Sequence, residues 1–251
     1  MKTRNLVHYI LLLFSSLFWG ASFIFTKFLF DSFSPIEIIF FRTAFASVFL
    51  LTFSLLFLRK KMKIDKKDLP IILAFSFFEP FLYFIFETYS LKYTPASIVS
   101  IIIAMIPVFT SLLSKYYFKE QFSAFNMFGV LVSFIGIGIM LIPDFADNSL
   151  EGLGVFLAFL AVFSAVGFGF YLRKLSQNYH PVVIITYQNI VAATLFLPIF
   201  ILLGLKNGFP ALADLTATSN LISILVLVIF CSSLAFIFLV NGVQTDRKSV
   251  V

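Results

Sequence analysis

The chain has 251 residues, 61% of them hydrophobic and 12% charged, with a formal net charge of +6 and a mean hydropathy of +1.04. A soluble domain carries about 25% charged residues and 45–50% apolar ones, so this composition excludes a globule covered by polar surface. Apolar stretches of about 20 residues recur along the whole length, each long enough to cross roughly 30 Å of hydrocarbon, and the chain reads as an all-α, multi-pass membrane protein.

Eight spans are expected, over Leu6–Phe28, Pro35–Leu58, Leu69–Tyr89, Pro95–Tyr117, Phe122–Ile142, Gly152–Leu172, Pro181–Gly204 and Asn220–Val240. They are helices, because lipid cannot satisfy a free backbone and the runs lack the alternation of a barrel strand. The first follows Lys2 and Arg4 as a signal peptide would. Its apolar core is too long for one, and no small-residue cleavage site precedes a soluble domain.

The basic residues set the orientation. With the N-terminus inside, fourteen of the 18 fall on the cytoplasmic side, and only Lys27, Arg42, Lys92 and Lys206 lie in the outer half or beyond. Asp144, Asp147, Glu151 and Asp214 occupy outer loops. The positive-inside rule therefore puts the N-terminus in the cytoplasm. The run RKKMKIDKKD (Arg59–Asp68) reads as an orientation signal beside anionic lipid, not as a nucleic-acid patch.

Cys231 is the only cysteine, which excludes an intrachain disulfide. His8 and His180 stand alone without ligand spacing, so no metal site is expected. Gly-rich phosphate loops, GxSxG, paired-cysteine and HExxH patterns are missing from the sequence. No cofactor is expected, and nothing asks for an enzyme.

The chain is similar to itself. A shift of 146 sets Lys27 on Arg173, Ser34-Pro35 on His180-Pro181, Arg42 on Gln188 and Ala46 on Ala192. Beyond Gly208 the shift becomes 153, and FEPFLYFIF (Phe78–Phe86) meets CSSLAFIFL (Cys231–Leu239), with Glu79 opposite Ser232. Five spans precede the second copy. Five is odd, so that copy enters the membrane from the opposite face. Inverted repeats of this kind mark alternating-access transporters, with the binding site between the halves near midplane. Arg42 lies seven residues into a span that starts outside, about 10 Å deep, and Gln188 lies at the mirrored depth.

Several segments resemble the drug/metabolite transporter superfamily, EamA-like branch. They are WGASFIFTK (Trp19–Lys27), SP (Ser34-Pro35), FFRTAFA (Phe40–Ala46), LKYTPAS (Leu91–Ser97) and IPVFTSLLSKYYFKE (Ile106–Glu120), with Gly129 and Gly136 after them. RKL (Arg173–Leu175) and TYQN (Thr186–Asn189) are similar to the second half of such proteins. The resemblance implies ten helices in two inverted five-helix halves that carry small metabolites across a cell membrane. Here residues 1–145 would be the first repeat with five helices, and residues 150–245 an incomplete second repeat with three. The tail DRKSVV (Asp246–Val251) does not resemble the family and is expected to be non-native. In one reading frame a common short-read sequencing adapter encodes those six residues followed by a stop.

Ionisable groups within a membrane are functional candidates by default. Glu79 is the strongest, ten residues into the third span and so about 15 Å deep, close to midplane. Hydrocarbon disfavours a lone carboxylate, which suits a proton carrier or a partner for a cationic substrate. A structural glutamate bonded to a neighbouring helix is the plainer alternative. Pro80 should free a carbonyl near Ser76, and Tyr83 shares the Glu79 face one turn on.

Lys27, Glu37, Arg42 and Glu87 form an expected outer charge cluster, either structural, a zwitterion site or a gate. Among Tyr187, Gln188 and Asn189, Gln188 is the substrate candidate because it mirrors Arg42. Trp19, the only tryptophan, is a candidate for the cavity wall or for core packing. Pro107 is expected to bend the fourth span. The 37 phenylalanines are expected to be lipid-facing bulk and filler. Ala161, Ala165 and Gly169, and more loosely Gly129 and Gly136, suggest close helix packing.

The expected function is a secondary transporter of small organic metabolites or drug-like compounds across the bacterial cytoplasmic membrane, exporting them against protons. Its partners are a small-molecule substrate and membrane lipid, without nucleic acid, and a homodimer is left open. The alternatives are a membrane-embedded binding or assembly component without transport, and an intramembrane lipid-modifying enzyme. Long-read sequencing of the locus is expected to show the frame open past Thr245; a genuine stop after Val251 would contradict the non-native tail.

Overall fold

A computed structural model describes residues 2–110 and 152–250, together with residues 128, 129, 131, 132, 134–136 and 139. All regular structure among the described residues is helical. The helices are α1 (Lys2–Leu29), α2 (Pro35–Phe57), α3 (Leu69–Ser76), α4 (Tyr83–Tyr93), α5 (Ala96–Ile103), α6 (Gly152–Leu175), α7 (Pro181–Asn207), α8 (Leu212–Thr216), α9 (Thr218–Val226) and α10 (Ala235–Val250).

Six described segments are long and apolar enough to cross a membrane: Tyr9–Leu29, Pro35–Phe57, Lys66–Tyr93, Gly152–Leu175, Pro181–Asn207 and Thr218–Gln244. They correspond to the expected spans one, two, three, six, seven and eight. The fourth is described only as the shorter apolar helix Ala96–Thr110. The expected fifth span lies outside the described residues apart from scattered helical positions. The chain is a multi-pass, all-α membrane protein.

Helix starts follow local chemistry. Pro35 and Pro181 open α2 and α7 at a position where the missing N–H costs nothing. Glu37 accepts a hydrogen bond from the Ser34 amide at 2.7 Å, one arm of a capping box. Glu37 is thus occupied at the cap of α2, and the expected four-charge outer cluster does not assemble around it. Lys27 makes no ion pair among the described residues, and at the end of α1 it is only half-buried.

Three of the described spans are interrupted, two of them by a wide turn. Between α3 and α4 the chain makes a wide π-type turn over Phe77–Leu82. There Glu79 is extended, at φ −145° and ψ 122°, and the Glu79–Pro80 peptide is cis. Pro80 has no N–H to return to the carbonyl of Ser76, so the α-helical ladder cannot pass through it. A second wide turn, Leu227–Leu234, separates α9 from α10. It has no proline; the Ser233 hydroxyl instead donates to the carbonyl of Val228, five residues back, at 2.7 Å. The fourth span also breaks, at Ala104–Met105, and Pro107 sits in the helical turn that follows. Pro107 lacks the N–H that the Ile103 carbonyl would need, which accounts for a break just ahead of it.

Helices α2 and α7 pack antiparallel along their length. Phe40 stacks on Phe200 with ring centroids 4.3 Å apart near one end. The hydroxyls of Ser54 and Thr186 lie 2.9 Å apart near the other. Helices α4 and α6 are held at one end by the Ser90 hydroxyl, which donates to the Gly154 carbonyl at 2.7 Å. Ala161 and Ala165 are buried in the packed face of α6. Gly169, on the same stripe, is not part of that contact, since a Cβ there would meet nothing within 4 Å. Large apolar side chains such as Val48, Leu56, Leu202 and Leu205 point outward, as lipid-facing residues do.

The end bearing the Arg59–Asp68 loop is pinned by Tyr179. Its hydroxyl donates to Asp68 Oδ2 at 2.6 Å and accepts the Asp65 amide at 3.2 Å. Loss of water and the bond to Asp68 hold this phenol above its ordinary range. Desolvation, then the charge of Lys61, hold the neighbouring His180 below its own.

Gly154 is a position where size is fixed by contact. A Cβ there would run into Thr94 Oγ1 and come within 3.0 Å of Thr94 Cβ and 3.1 Å of Tyr93 Cβ. Gly154→Val is expected to destabilise the protein by about 1–3 kcal/mol, seen as a lower thermal midpoint in detergent. Gly20→Ala, at an open position, is the control, and equal midpoints for the two would contradict the packing.

Candidate functional site

A cavity of about 850 Å³ lies among α1, the turn after α3, α4, the fourth span, α6 and α10. It brings together five sequence candidates, Trp19, Arg42, Glu79, Tyr83 and Glu87, with Pro107 at its wall. Phe23, Phe84, Phe168, Phe170 and Phe236 also line it. Part of the phenylalanine complement is therefore cavity wall, beside the expected lipid-facing bulk and filler.

Arg42 is buried, with 2% of its surface exposed. Its Nε donates to Ser232 Oγ at 3.1 Å. Its guanidinium carbon stands 3.9 Å from the centre of the Phe84 ring, a cation–π contact strengthened by exclusion of water. Its Nη1 lies 3.9 Å from Glu87 Oε2. That distance is an ion pair but too long for a hydrogen bond, and neither atom has a hydrogen-bond partner. Arg42 and Glu87 thus neutralise each other, while the other two members of the expected cluster stay apart from them.

Glu79 is 6% exposed and lines the cavity. Its carboxylate has no hydrogen-bond partner among the described residues. What is held firmly is its backbone: Gln188 Nε2 donates to the Glu79 carbonyl at 2.9 Å. One residue earlier, Ser164 Oγ donates to the Phe78 carbonyl at 2.6 Å. Side-chain donors from other helices thus meet the carbonyls of Phe78 and Glu79, further along than the expected site near Ser76. Gln188 is buried but does not line the cavity. It braces the break from behind through Nε2, while its Oε1 is buried without a hydrogen-bond partner among the described residues. Tyr187 donates to the Met62 carbonyl at 3.1 Å and Asn189 to its own helix at Ile185.

Trp19 stands edge-on to Phe236 with centroids 5.2 Å apart, at the wall. Tyr83 is buried beside Phe84, one turn beyond Glu79, as its spacing predicts. Sequence reasoning missed the parts played by Ser232, Ser164 and Phe84. The signal for Ser232 was present: it aligns with Glu79 in the shifted sequence, just as Arg42 aligns with Gln188.

Among the described residues no cluster of His, Cys, Asp or Glu could hold a metal ion. The site is a buried polar centre in the wall of a cavity lined in part by aromatic side chains.

The sequence pattern of the EamA-like transporter family matches residues 6–142 and 152–249. The chain belongs to the EamA-like transporter family. It is 22% identical over 234 residues to an uncharacterized transporter of Archaeoglobus fulgidus, covering 93% of this chain and 80% of that protein. It is 30% identical over 188 residues to the uncharacterized transporter YcxC of Bacillus subtilis, covering 71% of this chain. With YdfC of the same organism the identity is 26% over 184 residues, covering 72% of this chain. The matches span 57% and 59% of the lengths of the two Bacillus proteins.

The brace at the break can be tested alone. Gln188→Leu removes the donor to the Glu79 carbonyl and is expected to cost about 1–3 kcal/mol, the penalty of a buried unsatisfied group. Thermal unfolding in detergent measures it. A loss no greater than that of Thr194→Val, an exposed hydroxyl bonded within its own helix, would contradict the role.

Proposed function

We propose that this EamA-like protein is a secondary transporter of small organic molecules. The single observation that carries the reading is Glu79, a carboxyl group without a hydrogen-bond partner among the described residues that lines an aromatic cavity inside a membrane protein. Intramembrane acids of this kind mark substrate or proton pathways.

We infer further that residues 1–145 and 150–245 form related units inserted in opposite senses, so that the cavity opens to each side in turn. Pairs of contacts support this. The Arg42–Ser232 bond has as its counterpart, under the sequence shifts of 146 and 153, the Gln188–Glu79 bond. The Cys231–Phe18 contact has as its counterpart Ser164–Phe78. The Phe40–Phe200 stack corresponds to the Ser54–Thr186 bond under a shift of 146 alone. The two wide turns, Phe77–Leu82 and Leu227–Leu234, overlap under the shift of 153. A two-fold axis in the membrane plane would generate each of these pairs.

In this reading the protein sits in the cytoplasmic membrane with its N-terminus inside, Glu79 exchanges a proton for substrate, and the direction is export. The test is flux in proteoliposomes under an imposed pH gradient, with an internal pH indicator and a panel of amines, amino acids and organic acids. Wild-type protein is expected to give gradient-dependent flux, and Glu79→Gln to lower it at least about tenfold, the usual scale for removing a general acid or base. Full flux with unchanged pH dependence in the variant would contradict the proton role.

A further inference from the structure

Resting on the transporter reading, we propose that the cavity takes organic cations: compounds with one ammonium group on an apolar, ring-sized body. The ammonium pairs with Glu79 in exchange for a proton.

The charges decide the class. Among the described residues, two carboxyl groups and one guanidinium meet at the centre of the cavity, and the guanidinium is paired with one of the two acids. Arg42 faces the Phe84 ring at 3.9 Å, Ser232 at 3.1 Å and Glu87 at 3.9 Å. Its Nη1 is buried and has no hydrogen-bond partner among the described residues beyond the Glu87 ion pair. Arg42 and Glu87 cancel, leaving Glu79 as the uncompensated group. Tyr83, beside it, adds a neutral hydroxyl. Arg173 also lines the cavity, but it lies nine residues beyond Ser164, the α6 residue level with Phe78. That is about 13 Å along the helix axis, away from the acid.

An anion entering this centre would meet two carboxyl groups against a single arginine that one of them already neutralises, which is discrimination by repulsion. A cation meets a free carboxylate. It also meets the ring of Trp19 and the rings of Phe168 and Phe236, whose faces attract positive charge. A volume of about 850 Å³ is within the range that encloses a drug-sized molecule. The exchange balances without a further reactant, since one ammonium ion leaves the carboxylate as one proton arrives.

Trp19 is the only tryptophan and lines the cavity, so its emission reports occupancy. The probes are phenethylammonium and its anionic counterpart 3-phenylpropanoate, titrated into the protein in lipid nanodiscs. Phenethylammonium is expected to change Trp19 emission saturably, with affinity falling by up to about tenfold per unit fall of pH as a proton competes for Glu79, the slope of a one-for-one exchange. 3-Phenylpropanoate is expected to bind at least tenfold more weakly, and Glu79→Gln to weaken the cation at least tenfold and abolish its pH slope. Glu79→Asp, which keeps the charge, is expected to keep both, and decides the matter if Glu79→Gln does not fold. Equal cation affinity in Glu79→Gln, loss of cation binding in Glu79→Asp, or tighter binding of 3-phenylpropanoate would overturn the proposal. The last result would leave a small-molecule transporter standing, whereas absence of gradient-driven flux would overturn the transporter reading independently of Trp19.

Discussion

Lipid offers no hydrogen bonds, so a helix that breaks inside the membrane must have its freed carbonyls met by other parts of the protein. The rest of this structure depends on that constraint. The break at Glu79-Pro80 takes the chain out of helical geometry in the middle of a span. The neighbouring carbonyls are then met by Ser164 from α6 and Gln188 from α7. Two helices distant in sequence are thereby fixed around α3 and α4, with the Glu79 carboxylate turned into the space that remains. An uninterrupted helix would need neither donor and would leave no reason for the bundle to close at this depth.

The second wide turn is held in a related way. Arg42 reaches from α2 to Ser232, and Ser233 satisfies its own helix. Burying a guanidinium is costly unless its charge and donors are met. The Phe84 face, the Ser232 hydroxyl and the Glu87 carboxylate share that task. The division of labour between the two acids follows. Glu87 balances Arg42, and Glu79 lines the cavity without an ion pair among the described residues.

Much of this was legible in the residues. The six described spans fall where the apolar runs put them, because a bilayer-length stretch has few other solutions. Glu79, Arg42, Tyr83 and Trp19 were singled out by the cost of polar groups at depth or by rarity, and all line one cavity. Side-chain direction was not legible. Gln188 was expected to face substrate because it mirrors Arg42, yet its amide is drawn to a carbonyl freed on another helix. Glu37 was grouped with the outer charges by depth alone, while the nearest donor, the Ser34 amide, claimed it. Phe84 and Phe168 could not be told from lipid-facing phenylalanines, since composition gives no rotation in a helix that is apolar all round. Pro107 was expected to bend the fourth span, and the helix breaks at Ala104–Met105, just ahead of it.

The central claim is that residue 79 sits in a cavity reached alternately from both sides of the membrane. Cysteine accessibility measures this most directly. Cys231 is the only native cysteine and its thiol donates to the Phe18 carbonyl, so Cys231→Ser keeps the donor and gives a clean background. With Glu79→Cys added, a membrane-impermeant thiol reagent is expected to label the protein from either face of sealed vesicles. Labelling from neither face, with reaction only toward a lipid-soluble reagent, would contradict the account.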